Sequence, residues 1–138
     1  MHILLVEDEP SVKAYVAATL HRAGHTVEAA SDGDEALRIY RNRKKCGYDL
    51  VLTDRWHPGM DGIQLAATIR RMNPSQPIAF QTAGSTDSIV EERMATYGVN
   101  DLPRIEKPFR SEQLLRFIES VTEKFLPKTD NERQSPTR

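Results

Sequence analysis

Side chains that can bind a metal ion or take part in phosphoryl transfer stand at the ends of four predicted strands, three of which are apolar runs. Glu7 and Asp8 follow "HILLV", and Asp54 follows "LVLT". Thr82 closes "PIAFQT", and Lys107 follows "RIE". Carboxylates held close together repel one another unless a cation lies between them, and Mg²⁺ is a cation that takes oxygen ligands. A carboxylate nucleophile, a metal site, a hydroxyl and an ammonium group are the parts that phosphoryl chemistry uses.

The spacing of apolar residues predicts strands that alternate with helices. Short runs rich in leucine and β-branched residues predict the strands, and apolar residues three or four positions apart predict the helices. Pro10 fits the first turn of the first helix, Ser31 or Asp32 the cap of the second, and Ser111 the cap of the last. Asp61 and Gly62 are interpreted as a turn and a helix cap. The predicted strands are residues 2–7, 25–30, 49–54, 77–82 and about 101–106.

This alternation predicts an α/β fold: a doubly wound, five-stranded parallel sheet with helices on both faces. Parallel strands need crossover connections, and the helices supply them. Ligands of such sheets bind beyond the carboxyl ends of the strands, so we expect the site residues to meet at one edge. Residues 1–126 are assigned to this domain. Residues 127–138 are polar and lack apolar periodicity, which predicts a disordered tail.

Composition and charge argue against several other classes of protein. The formal net charge is −1, which gives no overall reason to bind nucleic acid or an anionic membrane. The single cysteine, Cys46, cannot form an internal disulfide. The first apolar run is too short for a secretory signal or a membrane span. We therefore predict a cytoplasmic protein with no nucleic-acid partner and no membrane partner.

Four segments resemble the receiver domain of two-component response regulators: "LLVEDEP", "DLVLTDRWHPGMDG", "QTAG" and "EKPF". The resemblance covers roughly residues 1–126. It implies the flavodoxin-like strand order 2-1-3-4-5 and a stand-alone protein like the chemotaxis regulators. Such a protein is a phosphoacceptor that promotes its own phosphorylation and dephosphorylation, and is not an enzyme acting on a substrate. Its partners would be a sensor histidine kinase or phosphotransfer protein and a downstream effector protein.

The resemblance implies how the phosphoryl group is bound. Asp54 would accept it from a phosphohistidine, Thr82 would hydrogen-bond one of its oxygens, and Lys107 would pair with it. The backbone N–H groups of Arg55 and Ala83 would complete the phosphoryl cradle. A cis peptide bond would join Lys107 to the proline that follows it.

The resemblance also implies a site for Mg²⁺ or Mn²⁺. Asp8 and Asp54 would bind the ion directly, and Glu7 would bind it through a water molecule. The main-chain carbonyl of Trp56 would be a further ligand, so the bulky side chain there should not abolish metal binding. Trp56 and His57 both depart from the residues usual in the family. The indole could shield an acyl phosphate from water or pack on the surface.

The predicted fifth strand also departs from the family pattern. Three positions before Lys107 the family commonly has an aromatic switch residue, whereas this sequence has Arg104, with Leu102 as the other candidate for that place. Pro103 removes a backbone donor and is tolerated mainly at a sheet edge or a bulge. We therefore predict an irregular or bulged edge strand. Arg104 is expected to stay at the surface, as an ion-pair former or a partner contact.

Two other functions stay open at this point. A pseudo-receiver would share the fold and signal through protein contacts without phosphorylation, although the complete set Asp8, Asp54, Thr82 and Lys107 argues against it. A magnesium-dependent phosphotransfer enzyme acting on a small substrate would need a further acid or base and a lid, and the sequence has no insertion of that size. The residues after Phe125 are too few to form a DNA-binding domain, which disfavours a transcription factor.

Overall fold

The computed structural model describes residues 1–43, 47–55, 60–83 and 88–125, and within them strands and helices alternate as predicted. The strands pair in parallel, in the predicted order β2-β1-β3-β4-β5. The strands are β1 (His2–Val6), β2 (Thr26–Ala30), β3 (Leu50–Thr53), β4 (Ile78–Thr82) and β5 (Arg104–Glu106). The helices are α1 (Pro10–Arg22), α2 (Gly33–Asn42), α3 (Gly62–Met72), α4 (Ser88–Thr96) and α5 (Ser111–Phe125).

Helices cover both faces of the sheet, and β3 is buried along its whole length. This explains why its sequence is almost uninterrupted in apolar residues. Each fully buried leucine or isoleucine stabilises the fold by roughly 1.5–3 kcal/mol. Successive strand residues point to opposite faces. Leu4, Val6, Val51, Ile78 and Phe80 pack with α2, α3 and α4, whereas Ile3, Leu5, Leu50, Leu52 and Ala79 pack with α1 and α5.

Side-chain caps fix where the helices begin. Asp32, the second of the two predicted candidates, caps α2 by accepting a hydrogen bond from Glu35 N at 2.8 Å. Asp61 caps α3 as predicted, and Gln64 returns a bond to the Asp61 N–H to complete a capping box. Because α3 follows the loop after β3, this cap also determines where that loop ends.

The fifth strand corrects one prediction and confirms another. β5 pairs one-to-one with β4, from Arg104 opposite Phe80 to Glu106 opposite Thr82, so the predicted irregularity or bulge is wrong for the paired residues. Its place at the sheet edge is confirmed. Pro103 lies just before the strand, where its carbonyl accepts from Phe80 N at 2.9 Å. The missing N–H of the proline therefore removes no bond from the β4–β5 pairing.

The start of α5 also differs from the prediction. Ser111 is its first residue rather than its cap. Arg110 occupies the capping position: its carbonyl accepts from Leu114 N, and its N–H donates to the side chain of Gln113 at 2.7 Å. The Ser111 hydroxyl lies 3.1 Å from the Tyr15 hydroxyl, which links α5 to α1.

Several predictions concern residues outside the described ranges. These are Cys46, Trp56, His57 and the tail 127–138. Across the part of the chain that is described, no helix combines the length and the apolar character needed to cross a membrane.

Candidate phosphoacceptor site

The carboxyl ends of the strands bring the predicted acids and the lysine together. β1 and β3 are neighbours in the sheet. Glu7 and Asp8 follow β1 and Asp54 follows β3, so these three acids lie side by side. One carboxylate oxygen from each of the three acids lies within 4.8 Å of the others. Lys107 Nζ lies 2.8 Å from Glu7 Oε1 and 3.8 Å from Asp54 Oδ2.

The site holds Asp54 in an unfavourable electrostatic environment. Burial is the main cause of its shifted pKa, the negative charge of Glu7 adds to the shift, and Lys107 opposes it. Together these effects raise the pKa of the Asp54 carboxyl group from 3.8 to about 8. A cation bound between the acids would remove the repulsion and favour the ionised form.

The donor set fits a hard divalent cation. Two oxygens bound to one Mg²⁺ at ~2.1 Å lie at most ~4.2 Å apart, so acids that lie within 4.8 Å of one another need only small side-chain shifts. Asp8 is exposed and offers a ligand on the solvent side, whereas Glu7 is buried. The carbonyl of Trp56, the other predicted ligand, lies outside the described residues.

The remaining predicted groups stand at the ends of neighbouring strands. Thr82 ends β4, is buried, and accepts a hydrogen bond from Lys107 N through its carbonyl at 2.7 Å. Ala83 follows it and is exposed, whereas Arg55 follows Asp54 and is buried. The bond between Lys107 and Pro108 is cis. The structure thus brings Glu7, Asp8, Asp54, Thr82 and Lys107 to one edge, while their roles stay predictions.

A family model described as the response regulator receiver domain matches residues 3–119. The chain belongs to this family. Receiver domains are generally phosphoacceptor signalling modules rather than enzymes in the usual sense; they bind Mg²⁺ through acidic residues and interact with histidine kinases and effectors. The chemotaxis protein CheY4 of Vibrio cholerae has a similar structure, with a TM-score of 0.75 and 29% identity over 87% of this chain and 97% of that one. A response regulator receiver protein from Sinorhizobium medicae has a similar structure as well, with a TM-score of 0.74 and 30% sequence identity. The match covers 91% of this chain and 97% of that one.

Relatives of this receiver domain include much longer proteins. The transcriptional regulatory protein GlrR of Escherichia coli K12 is 31% identical over 131 residues, which are 94% of this chain and 28% of GlrR. The chain spans between 28% and 52% of the length of the first regulatory proteins that it matches. These relatives therefore lend no support to stand-alone action or to the absence of a nucleic-acid partner, and both stay predictions.

Gly62 contacts the backbone of the site directly. Its interpretation as part of a turn and helix cap did not predict this contact. A Cβ atom at this position would lie 1.7 Å from the carbonyl oxygen of Asp54. The Gly62 N–H donates to the carbonyl of Arg55 at 3.0 Å. The start of α3 therefore packs directly on the backbone of Asp54 and Arg55, and only glycine leaves room for that contact.

Gln81 is a site residue that the sequence analysis missed. It is fully buried in β4, and its Nε2 lies 3.1 Å from Glu7 Oε1, the same oxygen that Lys107 contacts. A signal was present in the sequence, because Gln81 is the only amide side chain in the run "PIAFQT". Only the fold shows that this amide faces Glu7.

Arg55 and Arg104 bind the same acid on α4. The Arg55 guanidinium lies 3.8 Å from Glu91 Oε2 and donates to Met94 Sδ at 3.6 Å. Arg104 Nη1 lies 2.7 Å from the same Glu91 oxygen, with its side chain 25% exposed. The ion pair that was one of the two expectations for Arg104 is present, while its role as a partner contact stays a prediction. The residue after Asp54 is thereby joined to the α4–β5 surface.

Proposed function

We propose that this receiver domain is a phosphorylation switch in which Asp54 accepts a phosphoryl group from a sensor histidine kinase or a phosphotransfer protein, in a Mg²⁺-dependent reaction. One observation carries the proposal: Asp54 lies among two further carboxylates within 4.8 Å and an ammonium group 3.8 Å away. This is the arrangement that an in-line transfer to a carboxylate oxygen needs, because the protein mainly positions groups and neutralises charge.

Each residue has a defined part in the proposed transfer. A carboxylate oxygen of Asp54 attacks phosphorus, a P–O bond forms, and the P–N bond to the donor histidine breaks. Lys107 moves from Glu7 toward the phosphoryl oxygens, the Thr82 hydroxyl donates to one of them, and the N–H groups of Arg55 and Ala83 donate to the others. When bound, Mg²⁺ or Mn²⁺ supplies positive charge beside the transferred group.

The pseudo-receiver alternative explains this site less well. Asp54 is 8% exposed and has a pKa raised to about 8, so its ionised form is unfavourable in the folded protein. A domain that signalled through protein contacts alone would have no need for such a group beside Glu7 and Asp8. A phosphoryl-transfer reaction at Asp54 explains why a carboxyl group with a strongly raised pKa lies beside two further acids.

The proposed readout uses the surface around Arg104. Glu91 Oε2 lies 3.8 Å from Arg55, the residue next to the phosphoacceptor, and 2.7 Å from Arg104 on β5. A shift of the Arg55 backbone toward a phosphoryl oxygen would therefore pull on Glu91 and change how α4 and β5 present themselves to an effector protein. Arg104 serves in this proposal as a partner contact.

The phosphoacceptor role is tested with a small phosphodonor. With acetyl phosphate and Mg²⁺, intact mass should show one added phosphoryl group that is labile to base. Asp54→Asn should gain none, while the matched control Asp101→Asn, which alters an exposed acid ion-paired with Arg70, should be labelled like the wild type. Equal labelling of Asp54→Asn would refute the assignment.

The readout is tested by NMR with beryllofluoride as a phosphoryl mimic. In the wild type, amide shifts should extend from the strand ends into α4 and β5. Arg104→Ala should keep Asp54 labelling and lose the shifts on that surface, together with affinity for the effector. Arg70→Ala is the matched control, because Arg70 is also an arginine paired with an acid, Asp101 at 2.8 Å. Loss of labelling in Arg104→Ala would contradict the proposed role.

A further inference from the structure

Gln81 interrupts an otherwise apolar layer. The strand residues before it, Ile78, Ala79 and Phe80, are fully buried and pack into the two cores. The alternation of strand side chains places Gln81 on the same face as Ala79, toward α1 and α5. Gln81 itself is fully buried, so a leucine would suit the position on packing grounds alone.

The amide group of Gln81 is only partly satisfied. Its Nε2 donates to Glu7 Oε1 at 3.1 Å, but its Oε1 is buried with no hydrogen-bond partner among the residues that the structure describes. A buried carbonyl oxygen without a partner lowers stability. We therefore infer that Gln81 acts through its hydrogen bond to Glu7 rather than through core packing.

Glu7 holds Lys107 away from the phosphoacceptor. Lys107 Nζ lies 2.8 Å from Glu7 Oε1 but 3.8 Å from Asp54 Oδ2, so the ammonium must leave Glu7 to bind a phosphoryl oxygen. Glu7 is 1% exposed, so apart from the metal-bound water that the family resemblance implies, water has little access to replace the departing side-chain donor at Oε1. Gln81 Nε2 contacts the same oxygen, and Glu9 N contacts the other at 3.1 Å.

We propose that Gln81 is a positioning residue that keeps Glu7 hydrogen-bonded when Lys107 transfers to the phosphoryl group. The inference rests on the proposed function of Asp54. With Gln81 present, the transfer leaves Glu7 Oε1 with one side-chain donor; without it, the transfer leaves that oxygen of a buried carboxylate with none. Loss of a last donor to a buried charge costs more than loss of one of two.

The test compares beryllofluoride affinity at saturating Mg²⁺, followed by NMR titration. Gln81→Leu should weaken beryllofluoride binding by about tenfold, because the transfer of Lys107 then leaves Glu7 Oε1 without a side-chain donor. In a Lys107→Met background no lysine leaves Glu7, so Gln81→Leu should change the affinity by less than about twofold. The same loss of affinity in both backgrounds would overturn the proposal, as would full affinity in Gln81→Leu itself.

Gln76→Leu is the matched control, because Gln76 is a second buried glutamine, placed before the opposite end of β4. Its amide is fully used: Oε1 accepts from Tyr40 and Tyr48, and Nε2 donates to the carbonyls of Tyr48 and Pro77. Gln76→Leu should lower Tm and leave beryllofluoride affinity unchanged. Gln81→Leu should leave Tm unchanged and weaken beryllofluoride binding. A purely structural role for Gln81 would make the two variants behave alike.

A second measurement does not depend on Gln81→Leu folding. The side-chain amide protons of Gln81 should shift downfield when beryllofluoride binds, because Gln81 then becomes the sole side-chain donor to Glu7 Oε1. Lys107→Met should produce a similar shift without beryllofluoride. Amide resonances that stay fixed in both experiments would overturn the inference. A wild type that fails to bind beryllofluoride would instead refute the proposed function of Asp54.

Discussion

Replacing Asp54 by asparagine should stabilise the metal-free protein. The Asp54 carboxyl group is buried beside Glu7, and its pKa is raised from 3.8 to about 8. Because the folded state favours the protonated form, the stabilising contribution of this group is complete below its ordinary pKa and is lost as pH rises toward about 8. Asparagine is a neutral group of the same shape, and its folded-state energy does not change with pH.

The size of the effect follows from the pKa shift. One pKa unit corresponds to about 1.4 kcal/mol, and roughly three units separate the ordinary carboxyl value from neutral pH, which gives an upper bound of ~4 kcal/mol. Water and counterions at the open edge of the sheet screen part of this energy. We therefore expect Asp54→Asn to raise the free energy of unfolding at pH 7 by about 1–2 kcal/mol, or Tm by roughly 4–8 °C.

Urea denaturation at pH 5, 7 and 8.5, with and without Mg²⁺, measures this prediction. The stability gap between Asp54→Asn and the wild type should be small at pH 5, widen as pH rises, and narrow when Mg²⁺ is added, since the ion stabilises the ionised wild type. The control Asp101→Asn should move stability the other way, because its ion pair with Arg70 lowers the pKa of Asp101. An Asp54→Asn protein that is less stable than the wild type at pH 7 would refute the reasoning.

Three further predictions concern the metal site and the residues around Asp54. Asp8→Asn should weaken Mg²⁺ binding by about tenfold or more in calorimetry, because it removes a hard anionic ligand; unchanged affinity would mean that Asp8 is not a ligand. Gly62→Ala should lower the free energy of unfolding by more than ~3 kcal/mol in urea and suppress acetyl phosphate labelling, since the new Cβ would lie 1.7 Å from Asp54 O. The fluorescence of Trp56, the only tryptophan, should respond to Mg²⁺ in the wild type and not in Asp54→Ala; a flat wild-type titration despite binding by NMR would contradict this.

The sequence predicted the sheet and the position of each acid because local signals agreed with the fold. Apolar runs gave the strands, Pro10 and Asp61 marked helix starts, and parallel pairing then brought Glu7, Asp8 and Asp54 to one edge. The strand order alone is enough to predict where such residues lie. Their proximity follows from backbone geometry and not from details of packing.

The sequence was less informative where a side chain depends on several elements at once. Ser111 has the residue type of a cap, yet Arg110 takes that position because Gln113 reaches back to its N–H. Pro103 suggested a bulge, whereas the pairing of β5 starts one residue later, so the ladder is undisturbed. Gln81 contacts Glu7, which also binds Lys107, and these two residues come from two other strand ends. No local pattern predicts a three-way contact of that kind.

In the proposed readout, Arg104 takes the place of the family's aromatic residue in linking the Asp54 site to the surface of α4 and β5. An aromatic side chain at this position would communicate with Thr82 by packing into the space beside it. Arg104 instead binds Glu91 at 2.7 Å, and Glu91 also lies 3.8 Å from Arg55, the residue directly after Asp54. Electrostatic contacts act over longer distances than packing contacts and need no empty cavity. Under the proposed function, we therefore expect a shift of Arg55 to reach α4 and β5 through Glu91, while Arg104 stays half-buried at the edge of the sheet.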